Sequence, residues 1–331
     1  TGKRLHDILD LCLECKGCKG ECPSNVDLAK LKYEFLAAYN KRHGVPLRSR
    51  VLANIASINR WSALIAPIAN LGTGNPLTRW LLHRFLGIHK KRRLPSLTRT
   101  NFPNWFNKRG KASTRPAAVR GQVVLFHDTF MDYNEPQVGR AAVELLEAAG
   151  YEVVLADKVC CGRPMISKGL LEQARENART NVERLYPYAE AGVPIIGCEP
   201  SCLLTLKDEY PDLVRSPEAR VVADNSYLFE EFLTKLHDDG QLDITFKETR
   251  DKVLLHGHCH QKALVGSAVS AAALRLIPGL EVEEIDSGCC GMAGAFGYER
   301  EHYDMSMAIG EQRLFPAVRN ASEARIAITG F

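Results

Sequence analysis

Apolar positions follow two different periods along this chain. In the first third, Val51, Ile55, Ile58, Ile65 and Ile68 recur at helical spacing until Gly72-Thr-Gly-Asn-Pro76 breaks the pattern, and a second helix is expected from Leu77 to Leu86. Beyond residue 120, short β-branched runs alternate with longer helical stretches. That alternation predicts an α/β fold with right-handed crossovers, a mainly parallel sheet, and functional loops at the carboxyl ends of strands.

The alternating region repeats itself. Val124-Leu-Phe-His127 matches Val253-Leu-Leu-His256, and each is followed by an expected helix holding Val138-Gly139 or Val265-Gly266 and closed by Gly150 or Gly279. A second strand then reads Tyr151-Glu-Val-Val-Leu-Ala-Asp157 or Leu280-Glu-Val-Glu-Glu-Ile-Asp286, and within three residues comes Cys-Cys-Gly at an offset of 129. A long helix and a third apolar strand, Val193–Gly197 or Arg325–Thr329, complete β-α-β-α-β twice. The expected organisation is a Cys-rich head with its helices (1–43), a basic helical connector and linker (44–120), a first repeat (121–250) and a truncated second repeat (251–331).

With 331 residues and 45% hydrophobic content, the chain is long enough for two ordinary globular cores. The net charge of +4 hides an asymmetry: residues 35 to 127 hold 17 Lys and Arg and no Asp or Glu, leaving 26 basic against 39 acidic residues elsewhere. The stretch from His89 to Pro116 reads as an extended, solvated linker wrapping another surface. The most apolar window, Val51 to Gly72, is interrupted by Asn59, Arg60 and Pro67, so no membrane span is expected.

Eleven cysteines, an odd number, follow an opening without a secretory signal. In a cytoplasmic compartment clustered thiols serve metal or redox chemistry rather than disulfides. Cys12, Cys15, Cys18 and Cys22, followed by Pro23, give C-x2-C-x2-C-x3-C-P, the spacing that wraps a 4Fe-4S cubane in bacterial ferredoxins. Gly17 and Gly20 would let backbone amides approach the sulfides. Structural zinc favours two separated Cys pairs instead. The fourth Cys of such a run ligates a second cluster in two-cluster ferredoxins, yet no partner run exists here and Thr1 is not an initiator methionine. The head is therefore expected to be the trailing half of a ferredoxin module, and the chain a fragment.

Cys160-Cys161-Gly162 and Cys289-Cys290-Gly291 are each expected at a strand end and a helix start, where backbone N–H groups favour thiolate and cluster charge. Cys198 and Cys202 lie at the third strand of the first copy, and Cys259 at the first strand of the second, where the first copy has Phe130. If the copies pair about a pseudo-twofold, four or more thiolates enclose a cluster between them. The bland alternative, inert core cysteines, fits poorly with two vicinal pairs at matched places. His256, His258 and His260 flank Cys259 and are left outside the ligand set. Gly291-Met-Ala-Gly294-Ala-Phe-Gly297 lacks nucleotide-loop spacing and reads as close packing.

The segments CLECKGCKGECPSNVDLAKLK, CCGRPMISKG, EPSCLLTLKDEYP, HGHCHQKAL and SGCCGMAGAFGYEREHYDMS resemble the C-terminal iron–sulfur part of large FAD-linked oxidases over nearly the whole chain. Within that family the chain is most similar to the long bacterial D-2-hydroxyglutarate dehydrogenase type, whose N-terminal FAD domain is absent here. The paired loops also resemble the CCG domains of heterodisulfide reductase and of glycerol-3-phosphate and lactate or glycolate oxidase subunits. By that resemblance Cys160, Cys161, Cys202, Cys259, Cys289 and Cys290 become candidate metal ligands, although copy one lacks its leading Cys and copy two its trailing ones. The resemblance implies a flavin-linked 2-hydroxy acid dehydrogenase passing electrons to an acceptor such as a quinone, with no hydride-transferring residue in this chain. The rival is a thiol–disulfide or quinone reductase turning over substrate at the CCG site. The basic stretch is expected to dock onto an acidic partner surface rather than nucleic acid, and leaves room for a peripheral inner-membrane contact and for a homo-oligomer.

Overall fold

The computed structural model describes residues 2–109, 119–321 and 323–330. Among them are two parallel sheets. The first contains β1 (Gly121–Leu125), β2 (Tyr151–Leu155), β3 (Ile195–Gly197) and β4 (Ser226–Leu228) in the order β2-β1-β3-β4. The second contains β5 (Lys252–His256), β6 (Glu281–Glu284) and β7 (Arg325–Ile328) in the order β6-β5-β7. The α/β architecture with parallel strands is the one expected.

The pleat of β1 divides the first core. Val123 and Leu125 share one apolar cluster with Phe102, Val143, Leu146 and Phe232. Val124 and Phe126 belong to the opposite one, with Ala178, Leu185 and Leu203. Helices therefore cover both faces, as buried parallel strands require, and each fully buried Val or Leu contributes about 1.5–3 kcal/mol. The second sheet is thinner: its cluster centres on Leu254, Ile285 and Leu314, while Glu281, Glu283 and Glu284 on β6 and Arg325, Ile326 and Ile328 on β7 are exposed.

The structure departs from expectation in four places. The strand β4 has no counterpart in the sequence pattern, because three residues give no readable alternation. The helix expected around Val265-Gly266 is two, Cys259–Leu264 and Ala268–Arg275, since Gly266 takes φ +81° in the break. Only the first cysteine pair opens directly into a helix, Arg163–Ser167; a 3-10 turn, Phe296–Tyr298, follows the second. The expected linker is partly ordered. His89 stacks on Tyr303 at 3.7 Å, Arg92 donates to the Gly297 carbonyl and Ser306 Oγ, each at 2.7 Å, and Phe102 is wholly buried at the start of the helix Phe102–Lys108. The rest of that linker, residues 110–116, lies outside the described residues.

The connector forms the short helices Leu47–Ala53, Ile55–Ala63, Ala66–Gly74 and Pro76–Leu86, and the last buries no residue. No described helix is long and apolar enough to cross a membrane. The two α/β halves meet along the helix pairs Pro200–Asp208 with Cys259–Leu264 and Phe229–Asp238 with Ala268–Arg275. Across that seam Glu230 accepts hydrogen bonds from Gln261 Nε2 (3.0 Å) and Ser270 Oγ (2.8 Å).

A second tie fastens the N-terminal helix, Gly2–Asp10, to the second half. The His302 ring stacks on Phe296 (4.1 Å, 5°) and donates to Glu299 (2.9 Å) and Asp10 (3.1 Å). Burial disfavours the imidazolium, but the two carboxylates outweigh it and hold His302 at about 9. A folded-state value above the ordinary 6.5 means the stabilisation is complete below about 6.5 and is lost as pH rises through about 9. Urea melts should therefore show stability falling across that window, and His302→Gln should flatten the fall.

The glycine after each cysteine pair has a left-handed backbone, φ +89° at Gly162 and +81° at Gly291. A Cβ at Gly162 would meet Ala174 at an ordinary 3.5 Å, whereas one at Gly291 would lie 2.1 Å from the Ser306 carbonyl oxygen. Gly162→Ala should cost about 1–2 kcal/mol and Gly291→Ala at least about 3 kcal/mol in chemical denaturation.

Candidate metal centre

All eleven cysteines are unbridged. The Cys12–Cys22 run begins where the N-terminal helix ends, with the Cys12 amide bonded to the Leu9 carbonyl at 3.0 Å. Between the first thiols the backbone turns twice through the left-handed region at non-glycine residues, Glu14 (φ +54°) and Lys16 (φ +63°). Such residues cost about 1–3 kcal/mol each unless their surroundings hold them. Here the surroundings are charges. Lys16, 1% exposed, pairs with Asp208 and Glu209, and Asp27 lies 3.8 Å away. Glu14 meets Lys32 Nζ at 3.0 Å and Arg163 Nη2 at 3.2 Å, and Arg163 Nη1 donates to Glu209 at 2.6 Å. Burial opposes ionisation of Asp208, yet Lys16 and Lys19 hold it at about 2.

The run's own thiols are open to ligation. Cys18 is exposed and accepts the Leu28 N–H at 3.3 Å. Backbone N–H groups of Val26 and Ser24 lower Cys22, while burial raises Cys12. Gly20 also permits a close approach: a Cβ there would lie 3.1 Å from the Ala263 carbonyl oxygen of the Cys259–Leu264 helix.

In the first half, Cys161 Sγ and Cys202 Sγ are 3.2 Å apart, and Cys160 bonds to Cys161. The backbone of this pair is clamped: Asn177 donates to the Cys160 carbonyl (3.1 Å), Tyr210 to the Cys161 carbonyl (3.0 Å), and Asn181 to Tyr210 (2.8 Å). The bond to Cys161, then burial, pushes Cys160 well above its usual range. For Cys161 the Cys160 bond lowers the value, but the Cys202 bond and burial raise it further. Cys198 packs with the apolar cluster on the opposite side of the sheet from Cys161 and Cys202, where burial and the charges of Asp128, Glu230 and Glu199 push its thiol well up.

In the second half, Cys259 opens its helix, capped by His258, whose Nδ1 accepts the His260 N–H at 3.2 Å. Burial pushes Cys259 up to about 12, with Cys15 and Cys290 both near enough to raise it further. Cys289 accepts the Gly291 N–H at 3.2 Å and bonds to Cys290. That bond raises Cys289 and lowers Cys290, which His256 lowers further against the effect of burial. Among the described residues the thiols thus sort into the N-terminal run, the trio Cys160, Cys161 and Cys202, and the trio Cys259, Cys289 and Cys290, with no three sulfur atoms all within 4.8 Å of one another.

Sequence reasoning did not find Glu14, Lys16, Arg163 and Glu209. The available signal was the opposed charges inside the cysteine run, a Glu and a Lys on either side of Cys15. The cluster Asp10, Glu299 and His302 brings metal-type ligand atoms within 4.8 Å, but Lys168 and Arg48 already pair with Glu299, and Asp10 with His302.

Comparison with known proteins places this arrangement. The cysteine-rich CCG domain matches residues 124–207. One subunit of the anaerobic glycerol-3-phosphate dehydrogenase of Escherichia coli K12 is 33% identical over 290 residues, which is 87% of this chain and 72% of that protein. The D-2-hydroxyglutarate dehydrogenase of the same strain is 27% identical over 99% of this chain and 32% of its own length. Lactate utilization protein A of Macrococcus caseolyticus is 34% identical over 53% of this chain and 72% of its own length. With this identity and coverage added to the double cysteine architecture, the chain belongs to the CCG-type iron–sulfur family of flavin-linked dehydrogenases that includes this glycerol-3-phosphate dehydrogenase component.

Proposed function

We propose that this chain is the electron-transfer part of an FAD-dependent dehydrogenase, in which 4Fe-4S clusters take electrons singly from a flavin on a partner domain or subunit and deliver them to an acceptor such as a quinone. The observation that carries the reading is the docking of the ferredoxin-type run on the Cys259 loop: the helix Gly17–Glu21 packs on the helix Cys259–Leu264, and the Glu14 carbonyl accepts the His260 Nε2–H at 2.8 Å. Cys12, Cys15 and Cys18 would hold one cluster, with Cys22 directed to a second as in two-cluster ferredoxins. The second-half trio, and Cys160, Cys161 and Cys202 in the first half, would supply further thiolates. The donor set fits iron and sulfide. Thiols raised by burial lose their protons to a bound cation, and the N–H groups on Cys18 and Cys289 meet sulfur charge. A cluster supplies one-electron chemistry; the chain supplies the ligands, those N–H donors and a dry, charge-balanced seam.

For the compound oxidised by the flavin partner we favour a 2-hydroxy acid such as D-2-hydroxyglutarate, because the dehydrogenase of that name aligns with 99% of this chain. Glycerol 3-phosphate is the second reading, supported by the higher identity of the glycerol-3-phosphate dehydrogenase match.

The connector offers a docking surface. Trp61, Leu64, Ile65, Ile68, Leu71, Trp80 and Phe85 are exposed, Leu71 by 78%, in a stretch without a single carboxylate. Apolar side chains beside Lys and Arg match an anionic bilayer surface, where the former enter the interface and the latter meet headgroups.

Two measurements test these readings. Prepared anaerobically, the chain should be brown and contain about four iron and four sulfide per cluster, with Cys15→Ser losing at least one cluster's worth; zinc in place of iron, or neither, refutes the proposal. In sedimentation with vesicles, the chain should follow phosphatidylglycerol-containing vesicles and not pure phosphatidylcholine at low salt, and Leu64→Ser/Ile68→Ser/Leu71→Ser should stay in solution. Equal recovery of both proteins in the supernatant removes the membrane assignment.

A further inference from the structure

Residue 14 lies between Cys12 and Cys15 and divides its bonds between the two α/β halves. Its carboxylate takes Arg163, two residues past Cys161. Its carbonyl accepts the Nε2–H of His260, the residue next to Cys259, at 2.8 Å. Both partners are buried. The carbonyl can only accept, so Nε2 carries a proton and donates it. The ring is held edge-on to His258 (5.2 Å, 76°), and His258 Nδ1 accepts the backbone N–H of His260. The orientation of the His260 ring and its donor nitrogen are therefore both fixed.

From Cys15 the covalent chain runs back one peptide unit to the Glu14 carbonyl; from Cys259 it runs forward one residue to the His260 ring. The Nε2–H···O=C bond closes the interval. A route from Cys15 Sγ to Cys259 Sγ thus contains one non-covalent step. Electron exchange through bonds weakens less steeply with distance than exchange across a van der Waals gap, so a single short hydrogen bond is an efficient junction. Arg163, by comparison, reaches Glu14 through two long side chains and a contact of 3.2 Å.

The geometry points to His260 as a positioning residue that locks the cysteine run onto the second half through the Glu14 carbonyl and provides the coupling route between the Cys15 and Cys259 sites. This rests on the cluster reading above. It assigns no ligand role to His260: Nε2 is committed to the carbonyl. It also explains why Glu14 takes a left-handed backbone, which accompanies a carbonyl aimed at one half and a carboxylate aimed at the other.

The test compares three full-length proteins prepared anaerobically: the parent, His260→Leu, which removes the donor, and His260→Gln, which keeps a side-chain N–H. Iron and sulfide are counted, the reduced proteins are examined by EPR for magnetic interaction between clusters, and amide hydrogen exchange of residues 12–18 is followed in the metal-free chains. The expected result is parental iron content in all three. In His260→Leu the inter-cluster interaction should be weakened, electron re-equilibration after a reducing flash slowed about tenfold or more, and exchange at residues 14–16 faster, with partial recovery in His260→Gln. An iron-replete His260→Leu protein with parental spectrum, rate and exchange overturns the proposal, and so does selective loss of the second-half iron, which would make His260 a ligand. An iron-free parent overturns the cluster reading itself, and this inference with it.

Discussion

The placement of the cysteine run depends on opposite charges buried in the seam between the run and the two α/β halves. Glu14, Lys16, Lys32, Arg163 and Glu209 are all buried and satisfied by one another. Such a network returns little net stability, because desolvation consumes most of the Coulombic gain. Breaking it is another matter, since an unpaired buried charge costs several kcal/mol, about 3–5 for removal of one partner. The network therefore acts as a register device: the run fits in one position, and displacing it by a residue would orphan charges on both sides. Apolar packing alone would not enforce that choice, since Tyr33 and Ala29 behind the run tolerate small shifts more cheaply.

Around this seam the duplicated architecture has been put to unequal use. The first half is the scaffold: both faces of its sheet are covered, and its cysteine pair is fixed by Asn177, Asn181 and Tyr210. The second half carries less core, with a mutually hydrogen-bonded pair at Cys289 and Cys290, three histidines around Cys259, and the helix Gly17–Glu21 of the cysteine run packed against the Cys259 helix. Phe130 stands where a matched copy would have a thiol. Strand order and loop position were retained in both halves while the side chains on the loops diverged, as expected when function resides in strand-end loops rather than in the sheet.

The features legible in the sequence were those set by local pattern. Strand runs such as Val124 to His127 and Val253 to His256, and the cysteine spacing, are readable because burial on a parallel sheet and ligand reach impose short-range rules. The connector helices were readable as helices, but their exposed apolar face was not, because periodicity reports a stripe without saying what covers it. Missed features arise from long-range choices. The strand β4 exists because β3 offers an edge. The break at Gly266 lets the Cys259 helix and its successor face different neighbours. Lys16 finds its carboxylates nearly two hundred residues away, beyond any window-based reading.

The unequal exposure of the thiols has a temporal implication. Cys18 lies at the surface, but Cys161 and Cys202 retain only 4% and 9% of their accessible area, roofed by helices of the same half. Inorganic iron and sulfide delivered by a donor protein need an opening wider than that. A prosthetic group held there would have to be inserted while the nascent polypeptide was still incompletely closed, whereas the N-terminal run stays accessible to a late donor. Maturation would then have an order written into the solvent access of its sulfur atoms, with the innermost position filled before the outermost.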